Sequence, residues 1–306
     1  MKRGKRMKKV IITSLLSTAL LVPTIAHAEG NKTAQNTSTT SKVTSVSKAT
    51  KAQGWVKQNG KWYYYKNGKK VTGWLSTGGK KYYFSVYGVM QTGWMSIQDK
   101  KTKKYTDYYF DEKNGAMRTG WVQINGYRYF FNNNGVKQTG WLSNGGKKYY
   151  LGDYGSMQKG WVSFQNKKTG KYTYYYFNEK SGAMQTGWAQ IKGNWYFLNN
   201  SGVKQTGWLS NGGKWYYLGD YGIMETGKRY IKNTYYYFDK SGAMQTGWQK
   251  IGNYWHYFNS NGSEYHGWLK LSNKWYYLDS FGEMATGKKW INGKYYKFDS
   301  NGVWIG

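Results

Sequence analysis

The chain has 306 residues, of which 20% are aromatic and 41 are glycine, and its 46 Lys and Arg against 14 Asp and Glu give a formal charge of +32. It has no cysteine, so no disulfide holds it together, and its three histidines show no metal-ligand spacing. No Ser-His-Asp set or nucleophile elbow stands out, and the few carboxylates occupy repeated turn positions. Composition therefore predicts neither an enzyme nor a protein that needs a metal or a cofactor.

Residues 1–28 have the features of a secretory signal peptide. Six basic residues precede an apolar stretch over 10–22, and Ala26-His27-Ala28 gives a small-x-small cleavage pattern. The apolar stretch is shorter than a typical membrane span, although an uncleaved anchor is the alternative. Removal of those six residues leaves 40 Lys and Arg against 14 Asp and Glu, or +26. Residues 29–53 are rich in Ser, Thr and Lys and lack aromatics, so we expect a disordered spacer.

Residues 54–306 consist of twelve variants of one aromatic repeat, most of them about 20 residues long. In the unit at 207–226, Gly-Trp is followed by Asn-Gly-Gly at 211–213, a Trp-Tyr-Tyr triplet at 215–217 and a closing Gly-x-Met-x-Thr. Aromatics favour strands, and Asn or Gly favour tight turns, so each unit predicts a β-hairpin with the triplet on its second strand. The units begin at Gly54, Gly73, Gly93, Gly120, Gly140, Gly160, Gly187, Gly207, Gly227, Gly247, Gly267 and Gly287.

A single hairpin is marginal in water, whereas stacked copies bury each other's aromatic faces. The predicted fold class is therefore all-β, a repeat β-solenoid of stacked β-hairpins. Side chains alternate along a strand, so we expect the outer two residues of each triplet to face one way and the middle residue the other. The third and sixth units have 27 residues, and their Lys-rich insertions at 99–104 and 166–171 should lengthen the hairpin loops.

A longer period appears when the units are compared in threes. The first unit of a three often carries Lys near its end, at Lys70, Lys137 and Lys204, where the other units carry Met. This period favours about three hairpins per superhelical turn and about four turns in all, with both long loops on one side. The alternative is that it records only how the gene duplicated.

One pattern recurs in twelve variants over residues 54–306. It consists of a Gly-Trp, an aromatic triplet that begins seven residues after the Trp, and a Gly-x-Met-x-Thr before the next Gly-Trp. This pattern resembles the choline-binding, or cell-wall-binding, repeats of Gram-positive surface proteins. Related repeats occur in glucan-binding proteins and in the C-terminal regions of clostridial toxins, so the resemblance leaves the ligand open. It implies a left-handed β-solenoid in which each choline sits between consecutive hairpins in an aromatic cage.

The resemblance places three aromatics in each cage: the Trp of Gly-Trp, the first aromatic of the triplet and an aromatic of the next triplet, often with a Met nearby. A quaternary ammonium donates no hydrogen bond and is held by cation–π attraction over aromatic faces. The same aromatics could instead mainly hold neighbouring hairpins together, because so thin a solenoid has little other core. Five units have a complete set: Trp55, Trp62 and Tyr82; Trp188, Trp195 and Tyr216; Trp208, Trp215 and Tyr236; Trp248, Trp255 and Tyr276; Trp268, Trp275 and Tyr295.

Other units depart from the pattern, the sixth being a weaker version with Trp161, Tyr174 and Tyr196. A cation in a cage wall would repel choline and could meet a phosphate. We therefore hypothesise that units with a basic wall bind the anionic part of a wall polymer or are purely structural. Charged residues replace the first aromatic of the triplet at Lys81, Asp107, Arg128 and Lys148, and the Gly-Trp tryptophan at Lys228 and Lys288.

Together these features predict a secreted, non-enzymatic, cell-wall-associated protein. Its partner would be a wall polymer (choline-substituted or anionic teichoic acid, or glucan) held non-covalently, since residues 304–306 carry no sorting signal or membrane tail. The positive charge favours a polyanion, although Lys also keeps an aromatic surface soluble. One alternative is a carbohydrate-binding module with aromatics stacked on sugar rings, and another is a hydrolase or toxin fragment. Nucleic-acid binding is disfavoured by the export signal. No transmembrane anchor is expected, and the oligomeric state is left open.

Overall fold

Twelve antiparallel β-hairpins form the part of the chain that the computed structural model describes, residues 52–306. The predicted signal peptide and almost all of the predicted spacer lie outside these residues. Within them, no helix is long and apolar enough to cross a membrane. The strands are β1 (Gly54–Gln58), β2 (Lys61–Lys66), β3 (Lys69–Lys70), β4 (Gly73–Thr77), β5 (Lys80–Phe84), β6 (Gly93–Gln98), β7 (Tyr105–Phe110), β8 (Gly120–Ile124), β9 (Tyr127–Phe131), β10 (Gly140–Asn144), β11 (Lys147–Leu151), β12 (Gly160–Gln165), β13 (Tyr172–Phe177), β14 (Gly187–Ile191), β15 (Asn194–Leu198), β16 (Gly207–Asn211), β17 (Lys214–Leu218), β18 (Gly227–Ile231), β19 (Thr234–Phe238), β20 (Gly247–Ile251), β21 (Tyr254–Phe258), β22 (Gly267–Leu271), β23 (Lys274–Leu278), β24 (Gly287–Ile291) and β25 (Lys294–Phe298).

Tight two-residue turns close most of the hairpins, which are numbered 1 to 12 in chain order. Asn59 and Gly60 have φ angles of 49° and 74°, and Gly212 and Gly213 have 58° and 73°. Two successive positive φ angles define the turn that matches the twist of an antiparallel pair, and Asn and Gly adopt them most readily. In hairpins 3 and 6, the loops 99–104 and 166–171 join β6 to β7 and β12 to β13. The predicted turns and long loops are confirmed.

The two faces of each hairpin alternate as predicted. In hairpin 8, Trp208 pairs with Tyr217 across the ladder, and Ser210 pairs with Trp215. The Trp208 ring contacts Tyr217 and Trp215 of its own hairpin, with ring centroids 5.2 and 6.3 Å apart. The middle residue, Tyr216, contacts a tryptophan of the preceding hairpin instead.

The core is a row of Phe and Leu residues, one at the end of each second strand from hairpin 2 onward. These side chains are at most 2% exposed, and each directly follows an aromatic triplet or its charged variant. Burial of each such side chain is worth about 1.5–3 kcal/mol, so the row is a major source of stability. Its members are Phe84, Phe110, Phe131, Leu151, Phe177, Leu198, Leu218, Phe238, Phe258, Leu278 and Phe298.

Backbone hydrogen bonds join each hairpin to the one before it. The N–H of Met244 donates to the carbonyl of Trp215 in the preceding hairpin, at 2.7 Å, and the N–H of Met224 donates to Trp195, at 2.9 Å. Eleven such bonds, all between 2.7 and 2.9 Å, link the twelve hairpins. We call the residue that donates this bond the junction residue. The fold is therefore an all-β solenoid of stacked hairpins, as predicted.

A glycine of the following hairpin packs on most junction residues. Gly242 has a φ of +82° and lies directly against the Met224 side chain, where a Cβ atom would overlap the sulfur. The same contact recurs between Gly262 and Met244. The left-handed backbone favours glycine at this position, and a side chain there would also displace the methionine of the preceding hairpin.

Replacing this glycine should loosen the stack. Gly247, which belongs to a Gly-Trp pair, provides the matched control, because its φ is +71° and an added Cβ would meet nothing within 4 Å. Gly247→Ala should lower the free energy of unfolding by about 1–2 kcal/mol through backbone strain alone. Gly242→Ala should cost about 1–3 kcal/mol more, because the methyl group also displaces Met224. Denaturant unfolding followed by circular dichroism measures both variants. Equal losses would show that the Met224 contact does not constrain the junction.

Candidate ligand cages between hairpins

An aromatic cage lies between hairpins 8 and 9. Trp208 forms its back wall, with Trp215 of the same hairpin at 6.3 Å and 81° and Tyr236 of the next hairpin at 4.7 Å and 71°. The junction residue Met244 and the loop residue Asn261 also line this cavity. Trp215 and Tyr236 are thus both steeply inclined to the Trp208 ring, and the three rings line a single space with a thioether at its edge.

We number each cage by the hairpin that supplies its Gly-Trp tryptophan. In cages 1 and 11 that tryptophan lies 6.3 and 6.4 Å from the tryptophan that opens the triplet, as in cage 8. In cages 7 and 10 the strand register places the two tryptophans on the same face of the hairpin. The ring centroids of the Gly-Trp tryptophan and of the tyrosine from the next hairpin are 4.8 Å apart in cages 1 and 7 and 5.1 Å apart in cage 10. The tryptophan that opens each triplet stands at the rim and is 38–49% exposed. These rim residues are Trp62, Trp195, Trp215, Trp255 and Trp275.

Cage 11 differs from the prediction in one residue. Trp268 contacts Tyr296, with ring centroids 4.9 Å apart, rather than Tyr295. Tyr295 opens its triplet and faces the other way, against Trp290 at 4.6 Å, because side chains alternate along the strand. The junction residue here is Trp304, whose ring lies 5.9 Å from Trp268. Four aromatic rings therefore surround this last cage.

Comparison with known proteins identifies these hairpins. A family model for a choline-binding repeat matches residues 118–154, 185–220 and 245–288, and one for a cell wall binding repeat matches residues 53–68, 72–90 and 229–244. The solved structure of CbpJ from Streptococcus pneumoniae TIGR4 is 33% identical, with a TM-score of 0.58 over 82% of this chain and 99% of CbpJ. The chain belongs to the choline-binding repeat family.

A second solved structure supports the same assignment. Choline binding protein F from Streptococcus pneumoniae, solved in the presence of a peptidoglycan analogue, is 32% identical, with a TM-score of 0.55 over 83% of this chain and all of that one. No curated protein sequence matches the chain.

Basic residues change the walls of three choline-binding repeats. Lys81 lines a cavity with Trp74 and Tyr108 in cage 2, and Lys148 lines the corresponding cavity of cage 5. In cage 4, the Arg128 guanidinium carbon lies 4.8 Å from the centre of the Trp121 ring. Cages 2 and 5 thus keep an open cavity with a cationic wall, whereas an arginine covers the tryptophan of cage 4.

In cages 3 and 6 the junction residue is a lysine. The Lys204 ammonium lies 4.6 Å from the centre of the Tyr174 ring and 5.7 Å from that of Trp161. Burial lowers the pKa of Lys204. In cage 3, the Lys137 ammonium lies 5.5 Å from the Trp94 ring centre and 2.7 Å from the carboxylate of Asp107. The weaker cage predicted for the sixth unit therefore already contains a cation.

Ionic groups replace the cage at the ninth junction. Glu264 is the junction residue, and its fully buried carboxylate lies 2.6 Å from the Lys228 ammonium and 2.8 Å from His256 Nδ1. His266 Nε2 lies 3.6 Å from its second oxygen. Burial by itself raises the pKa of Glu264, but the hydrogen bonds from His256 and Lys228 outweigh it and hold that pKa below its ordinary value.

Sequence reasoning missed the Lys137, Lys204 and Glu264 contacts and the fourth ring of cage 11. A signal was present for Trp304, which follows Phe298 by six residues, as Met244 follows Phe238. Both pairs form the same isolated bridge. No pattern indicated that the two histidines of the repeat region would meet one glutamate.

The Glu264 cluster should make stability depend on pH. A carboxylate whose pKa is depressed in the folded state stabilises the fold at neutral pH, and this contribution is lost as the pH falls through the folded pKa. Glu264→Gln should therefore cost about 3–5 kcal/mol at pH 7, since Lys228 and His256 lose their partner. Its difference from wild type should shrink below about pH 4.

Denaturant unfolding at several pH values measures this effect. Glu225→Gln is the matched control, because Glu225 pairs with Arg229 at a partly exposed site, where such pairs contribute about 0–1 kcal/mol. A difference between wild type and Glu264→Gln that stays constant into acid would contradict the prediction.

Proposed function

We propose that this protein is exported and attaches non-covalently, without catalysis, to a choline-bearing polymer of the cell wall. The observation that carries the proposal is the set of five cages, 1, 7, 8, 10 and 11, in each of which the Gly-Trp tryptophan contacts a tyrosine of the next hairpin and an exposed rim tryptophan lies on the same hairpin. In cage 8 the described lining holds aromatic, thioether, hydroxyl and amide groups and no charged side chain. Such a lining suits a cation that donates no hydrogen bond.

High affinity for the polymer would come from the presence of several cages on one chain. One cation–π contact contributes about 0.5 kcal/mol at an exposed site and about 2 kcal/mol or more when desolvated. A single cage with an exposed rim would therefore bind weakly. Several cages on one chain can engage several substituents of one polymer, and the effective concentration of the second and later contacts raises the overall affinity by orders of magnitude.

The ring geometry favours a quaternary ammonium over a sugar ring. A sugar stacks on one broad exposed aromatic face, whereas Trp208, Trp215 and Tyr236 enclose a space from three directions. Interplanar angles of 81° and 71° incline Trp215 and Tyr236 steeply to the Trp208 ring. A carbohydrate ligand such as glucan would instead be revealed by competition with an oligosaccharide and not with free choline.

The excess of basic residues supports an anionic polymer such as a teichoic acid. Lys81 and Lys148 stand in the walls of open cavities beside an aromatic pair, where a phosphate next to a choline would meet them. This proposal predicts a salt-sensitive contribution to polymer binding. Retention on immobilised choline, without phosphate, should be reversed by free choline and not by moderate salt. Release by salt alone would contradict the cage proposal.

Removing the back wall of one cage should remove one site. Trp208→Ala should lower the number of choline molecules bound at saturation by one per chain, as measured by equilibrium dialysis with labelled choline. Trp290→Ala is the matched control, because Trp290 is 61% exposed and contacts Tyr295 outside the cages. An unchanged number in Trp208→Ala would contradict the proposed site.

Two adjacent tyrosines test the assignment of cage 11. Tyr296→Ala should remove one choline site or weaken it at least tenfold, since its ring lies 4.9 Å from Trp268. Tyr295→Ala should leave choline binding unchanged, because that ring packs against Trp290 and Lys288. Titration of both variants followed by tryptophan fluorescence distinguishes them. The opposite ranking would place the cage on the other face of the strand.

A further inference from the structure

In cages 3 and 6 the junction residue brings a charged group to the aromatic walls. Lys137 and Lys204 donate the same backbone bond as the methionines, to Asp107 and Tyr174 of the preceding hairpins, both at 2.9 Å. Their side chains therefore start from the place that Met244 occupies beside cage 8. They also pack under a glycine of the following hairpin, Gly155 and Gly222, as the methionines do.

In cage 6 the lysine ammonium lies over two of the aromatic walls. Lys204 Nζ faces both Trp161 and Tyr174, and it donates a hydrogen bond to the carbonyl of Tyr221 at 2.8 Å. The third wall, Tyr196, is in place with its ring 5.1 Å from Trp161. Cage 6 therefore has all three aromatic walls of a ligand cage together with a cation supplied by the chain.

Cage 3 shows the same arrangement with an added acid. Lys137 lines its cavity together with Trp94 and Tyr129, and its ammonium pairs with Asp107, which stands in the rim position. The junction lysine is thus held from two sides, by a ring and by a carboxylate. Sixty-seven residues separate Lys137 from Lys204, so the device recurs at the three-unit period.

We propose that Lys137 and Lys204 are built-in occupants of cages 3 and 6, which close these cages to external quaternary ammonium ligands. The inference rests on the proposed function, since it assumes that the open cages bind such ligands. Like charges at close range repel, so a lysine ammonium already placed beside the aromatic walls opposes the entry of a second cation. At these two junctions lysine takes the position that methionine or tryptophan occupies beside the five complete cages.

Exchanging junction residues tests this in both directions. Lys204→Met places in cage 6 the residue found beside the open cages, and it leaves no acid unpaired. It should bind one more choline per chain at saturation than wild type. Met224→Lys should bind one fewer, because its ammonium would enter cage 7 between Trp188 and Trp195. Lys204→Arg, which keeps the charge, and Lys180→Met, at an exposed turn, should both match wild type.

Equilibrium dialysis with labelled choline counts the sites, and crystals of Lys204→Met soaked in choline show whether cage 6 is filled. Thermal melts confirm that each variant folds. If wild type binds choline but Lys204→Met gains no site and Met224→Lys loses none, the inference is overturned while the proposed function stands. If wild type binds no choline, the proposed function itself fails, and the inference fails with it.

Discussion

Every other feature of this protein depends on the contact between one hairpin and the next. The junction N–H crosses to the preceding triplet, and a Phe or Leu such as Phe238 is buried beside it. A two-stranded hairpin is marginally stable alone, so this contact provides most of what makes each unit fold. Because the bond uses only backbone atoms, it is the same whether the junction residue is Met244, Lys204 or Glu264. The spacing of the hairpins stays constant while the chemistry between them changes.

In the proposed function, the inner aromatic rings pack neighbouring hairpins together and the rim tryptophans face the ligand. Trp208 packs against Tyr217 and Phe238, at 5.2 and 5.8 Å, and still forms the back of a cage. Trp215 is 49% exposed and packs less closely, so its conspicuous exposure is explained better by a ligand than by the core. The close packing of the inner rings agrees with the hypothesis that many aromatics are mainly structural, and the exposed rim is where the proposed ligand would lie. A single residue type serves both tasks because an aromatic ring offers two usable faces.

The sequence made the hairpins predictable, because Asn-Gly turns and strand alternation are local properties. The same alternation predicted that Tyr216 faces away from Trp215, as its contact with Trp188 shows. The structure brings Tyr296 rather than the predicted Tyr295 to Trp268. The spacing in the sequence carried this signal, because Tyr296 precedes the buried Phe298 by two residues, as Tyr216 precedes Leu218. The positions of the Lys204 and Lys228 ammonium groups were not predictable, since a flexible four-carbon side chain takes its direction from neighbours in other hairpins. The buried Phe and Leu row was accessible in principle, because one of the two follows nearly every triplet.

The placement of each cage across a junction has a mechanical consequence. A molecule held in cage 8 would touch Trp208 on one hairpin and Tyr236 on the next. It would thus add a bridge between two hairpins that are otherwise joined by one junction hydrogen bond and by side-chain packing. In a linear array, stability is a sum of unit and nearest-neighbour terms, and a ligand that binds only the folded junction adds to the neighbour term. Occupied junctions would resist separation, and empty ones would fray first. A wall polymer bound along the solenoid would thereby stabilise the hairpin array, and this stabilisation would increase with the number of cages filled.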